Sequence, residues 1–115
     1  MENVIVQKSY RFAVRIGKLC KYLQKQKNEY VISRQILRSG TSIGANVAES
    51  QFAQSTADFI TKLTIALKET GETDFWLRWL RDCNYLTEKE FMSIYKDCNE
   101  IKKILCAIIK TSKNS

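Results

Sequence analysis

Apolar residues recur every three or four positions along most of the chain, which is the spacing of one face of an α-helix. Four helical segments are predicted, at about residues 4–27, 31–52, 55–83 and 88–112. Their apolar stripes are Phe12, Ile16, Leu19, Cys20 and Leu23; Ile32, Ile36, Gly40, Ile43 and Val47; Phe59, Leu63, Ala66, Thr70, Thr73, Leu77 and Leu80; and Phe91, Ile94, Cys98, Ile101, Leu105 and Ile108. The pattern predicts an all-α protein.

The boundaries between these segments carry helix-terminal signals. Asn28 is a turn former, and Ser55 with Asp58 and Thr87 with Glu90 have the spacing of capping boxes at the starts of the third and fourth helices. Because the loops are short, consecutive helices must run in opposite directions. We therefore expect residues 1–115 to form a single domain, an antiparallel up-and-down four-helix bundle.

Composition narrows the class of protein further. The chain has no proline, 44% apolar and 27% charged residues, and no apolar run near the roughly 18 residues that a bilayer-spanning helix needs. The first residues do not resemble a signal peptide. The four cysteines, at positions 20, 83, 98 and 106, have no CxxC spacing, so we expect buried thiols and not disulfides. These features predict a cytoplasmic protein that does not bind membranes.

Positive charge is concentrated at one end of the sequence. Residues 1–38 hold nine Lys and Arg and two Asp and Glu, whereas residues 39–115 hold ten of each, so the first part carries the whole net charge of +7. A stripe on the first helix, opposite its apolar face, is predicted to bind nucleic-acid phosphates. Its members are Lys8, Arg11, Arg15, Lys18, Lys21 and Lys25. An acidic protein partner and a merely solvated basic face are the alternatives. An anionic membrane surface ranks below them, because the apolar side of this helix is needed for the bundle.

The second helix places small residues where a bundle normally has large ones. Gly40 and Gly44 each cost about 1 kcal/mol of helix propensity relative to alanine, and in return they allow a close approach of backbone or bulky groups. The bulky groups expected there are Phe75, Trp76 and Trp79 of the third helix. On a helical wheel Trp76 faces the core, whereas Phe75 and Trp79 point away from it. The notch formed by the glycines either packs within the chain or, with Phe75 and Trp79, contributes to an interface between copies.

A polar strip follows one edge of the second helix. Arg38, Ser42, Asn46 and Glu49 are expected to be hydrogen-bonded to Glu69 or Glu72 of the third helix, or else solvated. The chain contains no histidine and no phosphate loop or hydrolase motif. The sequence therefore predicts neither an enzyme, a cofactor nor a metal site.

Several blocks, in order, resemble the bacterial 23S rRNA intervening-sequence proteins. The departures from the family pattern are Val47, Ser50, Asp58 and Gly44. The matching positions are Arg38, Ser42, Ile43, Asn46, Ala48 and Glu49; Ser55 and Phe59; Glu69, Glu72 and Thr73; and Tyr85 with Leu86. The resemblance spans nearly the whole chain.

This resemblance implies a four-helix bundle that assembles into a homo-oligomeric ring, which is a pentamer in members of the family. It also implies kinship with reverse-transcriptase accessory proteins of diversity-generating retroelements, which bind nucleic acid. A reverse transcriptase or another protein is thus an expected partner, beside RNA or DNA. The expected function is a non-enzymatic oligomeric protein that binds nucleic-acid backbone through its first helix, with a protein-interaction adaptor as the alternative.

Overall fold

Four helices and no strands make up the computed structural model, which describes residues 3–114. They are α1 (Val4–Lys27), α2 (Ile32–Ser50), α3 (Thr56–Asp82) and α4 (Glu88–Lys113). Each helix begins and ends within two residues of the bounds expected from the sequence. Residues 1, 2 and 115 of the predicted domain lie outside the described part. No helix in that part is long and apolar enough to cross a membrane.

The helices pack in the antiparallel order that their short connections require. α1 lies along α2, α2 along α3 and α3 along α4, while a less extensive contact between α1 and α4 closes the bundle. The two helices α1 and α3 are diagonal to each other, since they make no such contact in residues 3–114. The molecule is elongated along the helices, with extents of 46 × 23 × 21 Å.

The helix starts are set by side chains that accept hydrogen bonds from free backbone N–H groups. Thr87 and Glu90 form the complete capping box predicted for α4. At α3, the Ser55 hydroxyl accepts from the N–H of Asp58, but the Asp58 carboxylate accepts from the N–H of Gln54, so the predicted box is only half formed. Each cap fixes the position at which its helix begins.

The start of α2 is capped in a way that the sequence pattern did not suggest. The buried carboxylate of Glu29 accepts hydrogen bonds from the backbone N–H groups of Val31, Ile32 and Ser33, at 3.2, 3.0 and 2.6 Å. Asn28, just before it, ends α1 in the left-handed conformation with φ 53°, as its turn-forming character predicts. The tight α1–α2 connection therefore depends on both residues.

The predicted stripes form the core, with a few shifts. Leu19, Ile32 and Phe59 are only partly buried, and in α4 the core position near the end is Ile109 and not Ile108. The expectation of four buried thiols was wrong for half of them, because Cys83 and Cys106 are exposed while Cys20 and Cys98 are buried. Burial raises the pKa of the Cys98 thiol to about 12. No disulfide is formed among the four cysteines.

Candidate nucleic-acid interface and neighbouring surfaces

The basic stripe of α1 is present on the surface, and most of it is unpaired. Arg11, Lys18, Lys21 and Lys25 are exposed, and none has an ion-pair partner within residues 3–114. The first and last of them are 14 positions apart on one helix, which is about 21 Å at a rise of about 1.5 Å per residue. These four residues are called the free cations below. Side chains of this kind, in a row, are suited to contacts with phosphates.

The other two members of the predicted stripe face α4. Lys8 forms an ion pair with Glu100, and Arg15 donates to Asp97 at 2.7 Å and to the Ser93 carbonyl at 2.9 Å. Both pairs are about half exposed, so each stabilises the bundle only slightly. Sequence periodicity could not reveal them, because it does not say which residues of α4 lie beside α1. Lys8 and Arg15 therefore differ from the free cations in having acidic neighbours.

A groove runs between α1 and α4 beside these ion pairs. Its volume is about 450 Å³. Leu19 and Tyr22 of α1, with Leu86 and Ile94 of the α3–α4 turn and α4, provide its apolar lining, and the exposed Lys18 and Lys89 lie at its rims. We call this feature the α1–α4 groove. A smaller cavity of about 170 Å³ lies further along the same seam, next to Lys8 and Glu100. Sequence patterns gave no signal for either cavity.

The small residues of α2 are occupied by α1 of the same chain. A Cβ atom built on Gly40 would lie 2.8 Å from Cγ1 and 2.9 Å from Cγ2 of the buried Ile16. One built on Gly44 would lie 3.1 Å from the Ser9 carbonyl oxygen. The notch therefore serves helix packing within the bundle, and the aromatic residues of α3, which were the expected occupants, do not fill it. Gly40 is buried and is not presented to a neighbouring copy.

Four aromatic side chains form a continuous row near the end of α3. Phe75 meets Trp76 edge-on at 5.0 Å between ring centroids, Trp76 meets Trp79 edge-on at 6.5 Å, and Trp79 stacks on Tyr85 at 5.9 Å. Phe75 is 50% exposed, as its helical position predicts. Trp76 and Trp79 are both partly buried, so the predicted contrast between them is weaker than expected. These four residues are called the aromatic patch.

Within residues 3–114, the polar strip of α2 is bonded to Glu69 and Glu72 of α3 only through Arg38. Arg38 donates to Glu69 at 3.2 Å and also to Glu72. Hydrogen bonds from Arg38 and then from Trp76 Nε1–H hold the pKa of Glu72 below its ordinary value. Further along the strip, Asn46 donates to the carbonyl and hydroxyl of Ser42 in its own helix, and Glu49 accepts from Lys62 of α3 at 3.1 Å, so these contacts do not involve Glu69 or Glu72. The strip links α2 to α3 over several turns.

The described residues offer little material for metal chemistry. Within residues 3–114 no three His, Cys, Asp or Glu side chains come together in a group that would hold an ion. In the same range every buried side-chain nitrogen or oxygen has a hydrogen-bond partner. The chemically distinctive surfaces are therefore the free cations, the α1–α4 groove and the aromatic patch.

Comparison with known proteins supports the resemblance seen in the sequence. A solved structure of a protein of unknown function from the S23 ribosomal protein family of Bacteroides thetaiotaomicron VPI-5482 is 55% identical, with a TM-score of 0.93. The match covers 94% of this chain and 96% of that one. No protein with a curated description matches the chain. The family model described as 23S rRNA-intervening sequence protein matches residues 1–107, and the chain therefore belongs to that family.

Proposed function

We propose that this protein is a non-enzymatic, cytoplasmic nucleic-acid-binding protein that contacts the phosphate backbone through α1. The observation that carries the proposal is the row of four free cations on one helix, with no acidic partner in the described part of the chain. Phosphate oxygens would supply the missing negative charge, and release of condensed counterions would drive binding. Contacts of this kind position a protein on nucleic acid without reading its sequence.

The electrostatic setting of α1 favours a polyanion over a single anion. The net charge of +7 arises within residues 1–38, and the rest of the chain is neutral, so the field is strongest on one side of the bundle. A single phosphate would engage one or two of the four side chains, whereas a nucleic-acid strand would engage all of them along about 21 Å.

We further propose that the protein acts as a homo-oligomeric ring, with five copies as the family resemblance implies. The exposed Phe75 and the partly exposed Trp79 support this proposal, since apolar patches on small bundles commonly mark interfaces. A ring would repeat the four free cations in each copy and would multiply the positive field. Such a ring is also suited to hold a reverse transcriptase or another protein beside bound nucleic acid.

A protein-interaction adaptor is the second candidate. Tyr10 and Val14 are 69% and 42% exposed, and their helical positions place them on the same side of α1 as Lys21 and Lys25. Apolar side chains among cations are suited to an acidic protein surface that also carries apolar groups. The apolar side chain of Val14 would contribute nothing to a surface that binds only phosphates. The two candidates therefore differ in what these residues should contribute.

A pair of charge-matched variants tests the proposal. The stripe variant replaces the free cations Arg11, Lys18, Lys21 and Lys25 by Gln. The control variant replaces four exposed lysines elsewhere by Gln, and these are Lys68, Lys96, Lys102 and Lys103. Both lose four charges, so a difference between them reports position and not net charge.

Binding would be measured by fluorescence anisotropy at low salt with labelled single-stranded RNA, duplex RNA and DNA. We expect the stripe variant to lose at least tenfold in affinity for each ligand, while the control variant stays within about threefold of the parent. Equal losses in the two variants would contradict a site on α1. If the parent binds an acidic protein but none of the nucleic acids, the adaptor becomes the supported function.

A further inference from the structure

The α1–α4 groove opens directly beside the row of free cations. Lys18 belongs to both features, since it is one of the free cations and also lies at the rim of the groove. Tyr22, four residues further on, is its neighbour on the helix surface and lines the groove. A strand whose phosphates follow α1 would therefore pass next to an apolar recess, and the recess can contact a different part of the same ligand.

The lining of the groove favours an uncharged group. The buried Leu86 and Ile94 form one side, and the partly buried Tyr22 contributes an aromatic ring. The Glu90 carboxylate also lines the groove, and one of its oxygens accepts from the N–H of Thr87 at 2.8 Å. Glu90 would repel a phosphate or a carboxylate inside the groove, whereas its second oxygen can accept from an N–H group of a neutral ring.

The rims of the groove have the opposite character. Lys18 on α1 and Lys89 on α4 are exposed, and neither has an ion-pair partner in the described part of the chain. Arg15 also lines the groove, but its charge is already paired with Asp97 at 2.7 Å. The groove therefore fits an occupant that is neutral and flat inside and negatively charged at both rims. A nucleobase with its flanking phosphates has this division of charge.

Only an unpaired base can reach such a recess without loss of base pairing. In a duplex the bases are stacked and paired, so that a base must leave the helix before a protein pocket can hold it. In a single strand the bases are free to turn outward and to pack on aromatic side chains. The groove volume of about 450 Å³ has room for a single base and not for a duplex. The geometry therefore favours a single strand.

We propose that the α1–α4 groove binds one unpaired base of a single-stranded nucleic acid while the neighbouring phosphates contact α1. This inference rests on the proposed function and specifies the form of nucleic acid that the same surface binds. Tyr22 packs against the base, and Glu90 accepts a hydrogen bond from it. Lys18 and Lys89 contact the phosphates on either side, so Lys18 keeps the role that it has among the free cations.

A variant that fills the groove without a change of charge provides the test. Ser93→Trp places a large side chain in the groove from an exposed position of α4, and Arg15 retains its hydrogen bond to the backbone carbonyl of residue 93. Met92→Trp is the matched control, because Met92 is 52% exposed and lines neither the groove nor the smaller cavity.

Two labelled DNA strands of equal length are compared, one with normal bases and one that is abasic throughout. Both present the same row of phosphates, so only the first can place a base in the groove. By fluorescence anisotropy at low salt, the parent and Met92→Trp should bind the normal strand about tenfold more tightly than the abasic strand. Ser93→Trp should bind the two strands equally, with the affinity that the parent has for the abasic strand.

The outcomes separate this inference from the proposed function. A parent that binds neither strand would refute phosphate binding by α1 itself. A parent that binds both strands equally and with the same salt dependence, or a Ser93→Trp variant that keeps the preference for bases, would refute only the role of the groove. A fatty acid that binds the parent but not Ser93→Trp, with no preference between the strands, would assign the groove to that ligand and overturn the proposal.

Circular dichroism confirms that each variant is folded, and light scattering confirms that it has the mass of the parent. If Ser93→Trp proves unfolded, Tyr22→Leu provides the test, because it removes the aromatic ring and keeps an apolar side chain. This variant should lose about tenfold in affinity for the normal strand and nothing for the abasic strand. Unchanged affinity of Tyr22→Leu for the normal strand would overturn the proposal. A parent with the mass of one chain, 13.4 kDa, would refute the proposed ring and leave the groove inference standing.

Discussion

Replacement of Gly40 by alanine probes the closest approach of α1 and α2. The added Cβ would lie 2.8 and 2.9 Å from two carbons at the base of the Ile16 side chain, which is fully buried. Ile16 is β-branched, so its χ1 angle is nearly fixed in a helix and these carbons have little freedom to move away. Alanine gains about 1 kcal/mol of helix propensity over glycine, but overpacking of a core costs about 1–3 kcal/mol. We therefore expect Gly40→Ala to lower the free energy of unfolding by up to about 2 kcal/mol.

Gly71 supplies the matched control, since it is exposed in the middle of α3 and a Cβ there would meet nothing within 4 Å. Gly71→Ala should raise the free energy of unfolding by about 1 kcal/mol. The difference between the two variants then isolates the steric cost at Gly40, which should be about 1–3 kcal/mol. Urea denaturation followed by tryptophan fluorescence, at one fixed protein concentration, measures both values.

A double-mutant cycle identifies Ile16 as the source of the cost. Ile16→Ala should cost about 2–5 kcal/mol in the parent and clearly less in the Gly40→Ala background, because it removes the two clashing carbons. Equal stabilisation by Gly40→Ala and Gly71→Ala would refute the close approach of α1 and α2. An additive cycle would refute the assignment of the contact to Ile16.

Three further predictions concern single side chains. Glu29→Ala should lower the free energy of unfolding by about 0.5–2 kcal/mol in urea denaturation, because it removes the cap of α2, and an unchanged midpoint would contradict that role. The pKa of Glu72 is lowered by Arg38, so the stability that this pair contributes is complete above the ordinary carboxyl pKa and is lost as the pH falls through the lowered value. The difference in the free energy of unfolding between the parent and Glu72→Gln should therefore shrink in acid. A difference that grows in acid would contradict the pairing. A thiol-specific reagent should label Cys83 and Cys106 rapidly in the native protein and the other two cysteines only after unfolding, and rapid labelling of all four would contradict their burial.

The spacing of apolar residues was sufficient to predict the four helices, because each helix buries a single apolar face. It also placed Arg38 beside the α3 carboxylates, since a half-buried charge on an interhelical edge needs a partner. The cap of α2 was missed because glutamate is not a usual N-cap residue, and Glu29 acts from outside the helix. The sequence pattern shows which face of a helix is apolar. It does not show which side chain accepts hydrogen bonds from the three backbone N–H groups at the start of α2.

The surface of the candidate site was less predictable because it depends on which helices are neighbours. Lys8 and Arg15 appeared equivalent to the free cations until α4 placed Glu100 and Asp97 beside them. The partial burial of Trp79 results from stacking on Tyr85 in the α3–α4 turn, which a wheel of α3 alone does not include. Contacts between elements therefore decided which of the predicted residues remained free.

The salt dependence of RNA binding tests the central claim that α1 contacts phosphates through its free cations. If all four make contacts to a single-stranded ligand, the slope of log affinity against log salt for one chain should be roughly −2.8, at about 0.7 per contact. The stripe variant should lose most of that slope, and the control variant with four other lysines replaced should retain it. Parallel slopes for the stripe variant and the parent, or a parent that does not bind RNA even at low salt, would contradict the claim.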